Sequence, residues 1–151
     1  MKKPDIKNNL GYLLNSTTNA LNTLMQRVIL AEGVLVPLEQ VKLLIFISFH
    51  DGTTQQAICD KMQKAKTGIS RLVDGLVKKD LVFRKENEND RRNKNLFITE
   101  KGFAVRDKFY PLAFQNLQTL ENDLGKSESA ELKEHLRAIR SIILNKINKQ
   151  K

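Results

Sequence analysis

The apolar residues of this chain recur every three to four positions over three long stretches, and this spacing predicts amphipathic α-helices. The first stretch covers residues 6–31 and predicts one unbroken helix. The other two cover about 100–124, with Thr99 as the N-cap, and about 128–147, with Ser127 as the cap. A small core cannot bury stripes of this length, so they predict a large partner surface.

The middle of the chain carries shorter helices. One is expected to begin at Pro37, and its predicted buried side consists of Val41, Leu44, Ile45 and Phe49. Thr53 and Gln56 have the spacing of a capping box, which predicts the start of a short helix. A further helix is predicted over about 65–79.

Two short β-like runs follow, at 81–84 and 96–98, with a polar stretch at 87–93 between them. This pattern predicts a hairpin with an extended charged tip. A trihelical core followed by such a hairpin is the plan of a winged helix-turn-helix.

The predicted fold class is therefore mainly α with a small β-wing, with long dimerisation helices on both sides of a winged helix-turn-helix core. Within one structural domain, we expect residues 1–31 to form the N-terminal dimerisation helix. Residues 32–102 are expected to form the DNA-binding lobe, and residues 103–151 the C-terminal dimerisation helices.

Charge narrows the choice of partner. The formal net charge is +9 with a pI of about 9.7. Residues 61–95 hold eleven Lys or Arg against five acids, a net charge of +6 in under a quarter of the chain. So basic a segment indicates a polyanionic partner, either nucleic acid or an anionic membrane surface. A solvated face without a partner is the alternative.

The solvent side of the helix at 65–79 suits a DNA groove. It presents Lys66, Thr67, Gly68, Ser70, Arg71, Asp74 and Lys78, with Gly68 and Gly75 one above the other. We expect Arg71 to pair with guanine, and Thr67 and Ser70 to meet bases or phosphates. Gly68 has no side chain and would let the helix approach closely. Taken alone, the helix also fits an ordinary amphipathic helix with a mixed polar face.

The hairpin tip carries Arg91, Arg92 and Lys94, which we expect to reach the adjacent minor groove. Asp90 would repel phosphate there, so its expected role is to brace the wing by pairing with a neighbouring arginine. The alternative is a floppy loop of mixed charge.

Several motifs resemble the MarR family of winged-helix transcription regulators in order and spacing. They are Thr54–Gln55 at a helix start, residues 66–74, 76–79 and 90–92, and the run 96–102. The most diagnostic part is Asp90 with Arg92, followed by the Thr-Glu-Lys-Gly entry to the next helix. The resemblance extends over nearly the whole chain.

The resemblance implies a homodimer formed by the first and last two helices, with 65–79 as recognition helix. It also implies that Asp90 fixes the wing, that Arg92 enters the minor groove, and that a small-molecule pocket lies between the lobe and the dimerisation helices. Two positions depart from the family. Asp80 replaces the usual Gly, where Asp tolerates a left-handed backbone. Ile58–Cys59 replaces Leu-Ala, and the first helix lacks the cysteine of redox-sensing members.

The full set of residues expected to bind DNA is Thr54, Gln55, Lys64, Lys66, Thr67, Gly68, Ser70, Arg71, Asp74, Lys78, Lys85, Asp90, Arg91, Arg92 and Lys94. No catalytic frame, metal-ligand spacing or cofactor motif is present, so we expect no enzyme, no metal and no cofactor. His50 and His135 are expected to be structural or surface residues, and Cys59 a small buried residue.

The function predicted from the sequence is a homodimeric DNA-binding repressor of a pseudo-palindromic operator, released by a small-molecule effector. No apolar run could span a bilayer and no signal peptide begins the chain, which predicts a cytoplasmic protein without a membrane partner. Two alternatives stay open. One is a winged-helix adaptor that binds protein. The other is a peripheral membrane protein, although the basic segment lacks the exposed aromatic residues that membrane-surface helices use.

Overall fold

The computed structural model of the protein describes residues 5–87 and 94–149. Its elements in chain order are a 3-10 helix Ile6–Asn8, α1 Leu10–Ala31, α2 Leu38–Phe49, β1 Thr53–Thr54, α3 Gln55–Met62, α4 Lys66–Lys78, β2 Val82–Glu86, β3 Lys94–Ile98, α5 Glu100–Leu124 and α6 Lys126–Asn148. The strands form one antiparallel sheet in the order β1-β3-β2. The predicted fold class, mainly α with a small β-wing and long helices on both sides of a winged helix-turn-helix core, is confirmed. Two compact units divide the chain, one ending at Leu112 and the other beginning at Ala113.

The core of the first unit lies where α2 faces α4. Ile69, Val73 and Leu76 recur along α4 at helical spacing, and all three are fully buried. The other side chains almost completely removed from water are Ile29, Val41, Leu43, Leu44, Ile47, Ile58, Leu81, Val82 and Leu96. Burying such a side chain contributes about 1.5–3 kcal/mol. This packing holds α4 against α2 and leaves its opposite side free.

Phe49 does not lie on the buried side of α2, which corrects the prediction. It stands at the end of the helix and is 61% exposed, with its ring edge-on to that of Tyr110 at a centroid distance of 5.8 Å. Leu43 and Ile47 are fully buried in addition to the predicted Val41 and Leu44. The buried side of α2 is broader than one stripe because more than one element packs against this helix.

The cap of α3 lies one residue later than predicted. Thr53 pairs with Leu96 in the sheet, and Thr54 Oγ1 accepts a hydrogen bond from the backbone N of Ala57 at 3.2 Å. The strand β1 is only two residues long. That is too short for the alternating pattern by which a strand is recognised in a sequence, so its effect on the cap could not be seen there.

Two long helices begin elsewhere than predicted. Asn9 caps α1 through an Oδ1 that accepts from the backbone N of Gly11 at 2.8 Å, and this leaves Ile6 in the separate 3-10 helix. Gly125, with φ at 99°, separates α5 from α6, so Ser127 lies inside α6 and is not its cap. The predicted cap of α5 is confirmed, since Thr99 Oγ1 accepts from the backbone N of Gly102 at 3.0 Å.

The second unit comprises the end of α5 and all of α6. Its apolar stripes are present as predicted, but seven of their residues are 38–47% exposed: Leu117, Leu120, Leu124, Leu132, Leu136, Ile143 and Ile147. Ser129 is buried, at 6% exposure. Within the described residues, none of the helices combines the length and apolar character needed to cross a membrane.

Candidate nucleic-acid interface

The N-terminal half of α4 is open on the side opposite its buried stripe. Lys66, Thr67 and Arg71 are exposed, and Ser70 is half-buried. A Cβ added to Gly68 would have no heavy atom within 4 Å. A ligand can therefore come close to the helix backbone at Gly68, between side chains that donate hydrogen bonds.

Gly75 does not share the open surroundings of Gly68. A Cβ at Gly75 would lie 2.2 Å from Nε2 of Gln40 in α2. Gln40 Oε1 is a buried side-chain atom without a hydrogen-bond partner among the described residues. The missing side chain at Gly75 thus serves the approach of α4 to α2, whereas the one at Gly68 leaves an outer surface open.

Asp74 connects α4 to the base of the hairpin. Its Oδ1 lies 2.5 Å from Nη2 of Arg84 in β2. The Asp74 side chain is 61% exposed and that of Arg84 only 27%, so the pair is a surface contact that stabilises little by itself. It nevertheless gives Asp74 a partner within the protein and connects the hairpin to α4.

The turn after α4 has the left-handed backbone predicted for Asp80, whose φ is 58°. Two side chains of the following segment bind its carbonyl groups. Lys101 Nζ donates to Lys79 O at 2.9 Å, and Thr99 Oγ1 donates to Asp80 O at 2.8 Å. Gly102 lies so close that an added Cβ would be 2.2 Å from Leu81 O. The start of α5 therefore supports the strained turn.

Glu39, which sequence reasoning did not single out, binds one of the predicted DNA contacts. Its Oε2 lies 2.7 Å from Nζ of Lys64, and its Oε1 lies 2.8 Å from Nζ of Lys42. The hydrogen bonds from Lys42 and then Lys64 lower the pKa of Glu39 below its ordinary value of 4.5, with burial opposing them. Lys64 and Glu39 are 25 positions apart, so no local pattern could have revealed the pair.

The remaining predicted residues fall into two groups. Lys78, Lys85 and Lys94 are exposed, while Gln55 is half-buried. Asp90, Arg91 and Arg92 lie outside the described residues, so their roles stay predictions.

Cys59 and His50, the other residues whose side chains could carry chemistry, are packed against the protein. Cys59 is buried, at 8% exposure. His50 stacks on Phe46 with ring centroids 4.2 Å apart, and its Nδ1 is 2.9 Å from Phe46 O. Over residues 5–87 and 94–149, no group of three His, Cys, Asp or Glu is arranged to hold a metal ion.

Comparison with known proteins adds independent information. Residues 36–93 match the model of the MarR family. The structure is similar to the DNA complex of S. aureus MepR, with a TM-score of 0.81 and 24% identity over 88% of this chain and 97% of that one. A mutant MarR from E. coli in complex with operator DNA has a TM-score of 0.79 and 25% identity, over 86% of this chain and 92% of that one. The transcriptional repressor CouR, bound to a 23-mer DNA duplex, has a TM-score of 0.80 and 21% identity, over 93% of this chain and 98% of that one. No curated protein matches the chain.

The trihelical core, the hairpin and the open polar face of α4 define the class of winged helix-turn-helix regulators. The family match and the structural similarities agree with this class. The family match over residues 36–93 and the similar structures support a transcription regulator of the MarR type.

Proposed function

We propose that this regulator binds double-stranded DNA and inserts α4 into the major groove. The observation that carries the proposal is the open face of α4 around Gly68, flanked by Thr67 and Arg71. A major groove about 12 Å wide admits a helix of this kind. Three similar structures, those of MepR, MarR and CouR, contain DNA.

Each exposed residue takes a role by its chemistry. Arg71 pairs with guanine through two hydrogen bonds, and Thr67 and Ser70 contact bases or phosphates. Phosphate contacts are assigned to Lys64, Lys66, Lys78, Lys85 and Lys94, and to Thr54 and Gln55 at the start of α3. Asp74 acts through Arg84 and does not touch DNA in this proposal.

We also propose a homodimer that uses the terminal helices. The exposed leucines and isoleucines of α5 and α6 leave apolar side chains in water, as do Leu10 and Leu13 of α1, and a second copy of the chain would cover them. Two-fold symmetry then requires a pseudo-palindromic operator whose half-sites lie about 34–36 Å apart.

The dimer is tested by Leu136→Asp, because Leu136 is 42% exposed and its replacement should leave the fold of one chain intact. We expect a folded monomer by light scattering at micromolar concentration, against a dimer for the wild type. Ala138→Asp is the matched control, since residue 138 lies on roughly the opposite side of α6 and should stay dimeric. A wild-type monomer would contradict the proposal.

We propose that Arg91 and Arg92 of the wing enter the minor groove and that Asp90 braces the wing by pairing with a neighbouring arginine. Arg92→Ala should weaken binding most on operators with A·T-rich flanks. Asp90→Ala should weaken binding in the same way if Asp90 is a brace. Counting charges alone predicts tighter binding for Asp90→Ala, so the sign of the change at fixed salt decides between the two accounts.

Repression and release by a ligand complete the proposal. CouR is a transcriptional repressor with the same fold, and a protein bound to an operator blocks transcription by occupancy. A small molecule that binds better to a form with low DNA affinity would release it. A protein that acts on the chromosome in this way works in the cytoplasm.

The decisive experiment is to select DNA fragments of the source genome on the purified protein and titrate the bound fragment with salt. We expect log affinity to fall with log salt at a slope near −0.9 for each phosphate contacted. Binding that does not respond to salt, or no selected fragment, would contradict DNA binding and favour an adaptor that binds protein.

A further inference from the structure

A polar cluster at the N-terminal end of α2 joins three parts of the first unit. Glu39, in the first turn of α2, binds Lys42 of the same helix and Lys64 of the α3–α4 connection. Lys42 Nζ also donates to Asn22 Oδ1 in α1 at 2.6 Å. One carboxylate thus has two ammonium partners, and the cluster keeps an excess of positive charge.

The backbone of Lys64 is held in place just before the start of α4. Its backbone N donates to Cys59 O at 3.2 Å, and it precedes Ala65, the N-cap of α4. The backbone therefore fixes one end of the side chain and Glu39 fixes the other. A free lysine side chain samples many rotamers, and ordering it on binding lowers affinity.

We propose that Glu39 is a positioning residue that holds the ammonium group of Lys64 ready for a DNA phosphate. The inference rests on the proposed function, because it needs a phosphate near the start of α4. An ammonium group has three N–H donors, and the contact with Glu39 occupies one. The Lys64 side chain is 40% exposed, so a phosphate can bind it while the pair stays intact.

Lys42 is necessary to this arrangement. It offsets the negative charge of Glu39, so that the carboxylate orients Lys64 without making the surface repel phosphate. Asn22 in turn binds Lys42. The opposite account is that Glu39 sequesters Lys64, in which case removing the carboxylate would free a cation and tighten DNA binding.

The test measures affinity for the genomic fragment that the wild type binds, at one fixed salt concentration. Glu39→Gln should weaken binding about threefold to tenfold with two copies of the site on the duplex, because Lys64 must then be ordered on binding. Asp60→Asn is the matched control. It removes the same charge from a residue whose Oδ1 accepts from Gln56 at 3.1 Å, and it should bind equally well or slightly more tightly.

A double-mutant cycle shows whether Glu39 acts through Lys64. Lys64→Gln should weaken binding and lower the salt slope by about 0.9 for each phosphate that the protein no longer neutralises. Adding Glu39→Gln to that variant should change the affinity by less than about twofold. Glu39→Asp keeps the charge but has a shorter side chain, so it should resemble Glu39→Gln, whereas charge counting predicts no change.

Failure of the two proposals can be told apart. No salt-sensitive binding by the wild type would overturn the proposed function and this inference with it. A wild type that binds, together with Glu39→Gln that binds equally or more tightly, would overturn only the role of Glu39. An equal loss of affinity in the presence and absence of Lys64 would also overturn it, since Glu39 would then act through the fold.

Discussion

The winged-helix lobe and the C-terminal helical unit treat their apolar residues differently. In the lobe, Leu44, Ile47 and Ile69 are completely removed from water. In the second unit, Leu132 and Leu136 remain 47% and 42% exposed although they follow the same helical spacing. Both sets lie at helical spacing, so periodicity alone does not distinguish them.

The two regions differ in whether the burial that stabilises them occurs within one chain. The lobe buries its apolar residues within one chain, so its packing should not depend on protein concentration. The second unit has amphipathic helices whose apolar sides still need a cover, which we propose to be a second copy. Burial by a partner links stability to association, and the predictions below separate the two cases.

The largest effect is expected for Leu44→Ala in the lobe. A fully buried leucine leaves a cavity when truncated, which costs about 2–5 kcal/mol. The free energy of unfolding should fall by this amount at every protein concentration in urea titrations. Leu136→Ala makes the same chemical change at an exposed site, and its cost should appear only at concentrations at which the dimer forms. Equal costs that do not depend on concentration would remove the contrast between the regions.

Arg71→Ala tests the outer side of the lobe without disturbing either apolar set. Removing a bidentate pairing with guanine should cost about 1–3 kcal/mol of binding and relax the preference at one operator position per half-site. Competition binding with single base changes measures both quantities. Light scattering and unfolding should be unchanged, and a uniform decrease in affinity across all sequences would mean that Arg71 binds phosphate.

Gly68→Ala and Gly75→Ala compare two positions on the same side of α4, one near its open N-terminal end and one packed against α2. Alanine favours a helix by about 1 kcal/mol over glycine. Gly68→Ala meets no atom within 4 Å, so it should gain most of this stability yet weaken DNA binding. Gly75→Ala should gain less, since Nε2 of Gln40 must move away. Thermal unfolding and DNA affinity of the two variants provide the comparison, and tighter DNA binding by Gly68→Ala would contradict the close approach.

The smallest effect concerns the ion pairs of Glu39. Its pKa is lowered in the folded protein, so the pairs stabilise the fold above the unfolded pKa, near 4.5, and this contribution is lost as pH falls through the folded pKa. Wild type should therefore unfold at a slightly higher urea concentration than Glu39→Gln at neutral pH. The two midpoints should converge as the pH falls through the lowered pKa of Glu39, and a difference that grew in acid would show the opposite sign.

Some side-chain details were correctly predicted because they depend on short-range physics. A threonine three residues before a helical backbone N is a cap wherever the helix lies, so Thr99 was assigned correctly. Asp80 stands where the chain must turn after α4, and Asp is among the residues that tolerate the left-handed backbone found there. Cys59 lies beside the apolar Ile58, and both are buried.

The sequence by itself determined the six helices, the hairpin, their order and the open polar face of α4, because helical periodicity, caps and turns act over a few residues. Only the tertiary structure decided which residues of different elements lie next to each other. Asp74 with Arg84, Gly75 with Gln40 and Glu39 with Lys64 join different elements. Their contacts depend on how whole helices pack, and many alternative partners are equally compatible with the linear pattern. The packing of α2 also turned Phe49 outward, which one stripe could not indicate.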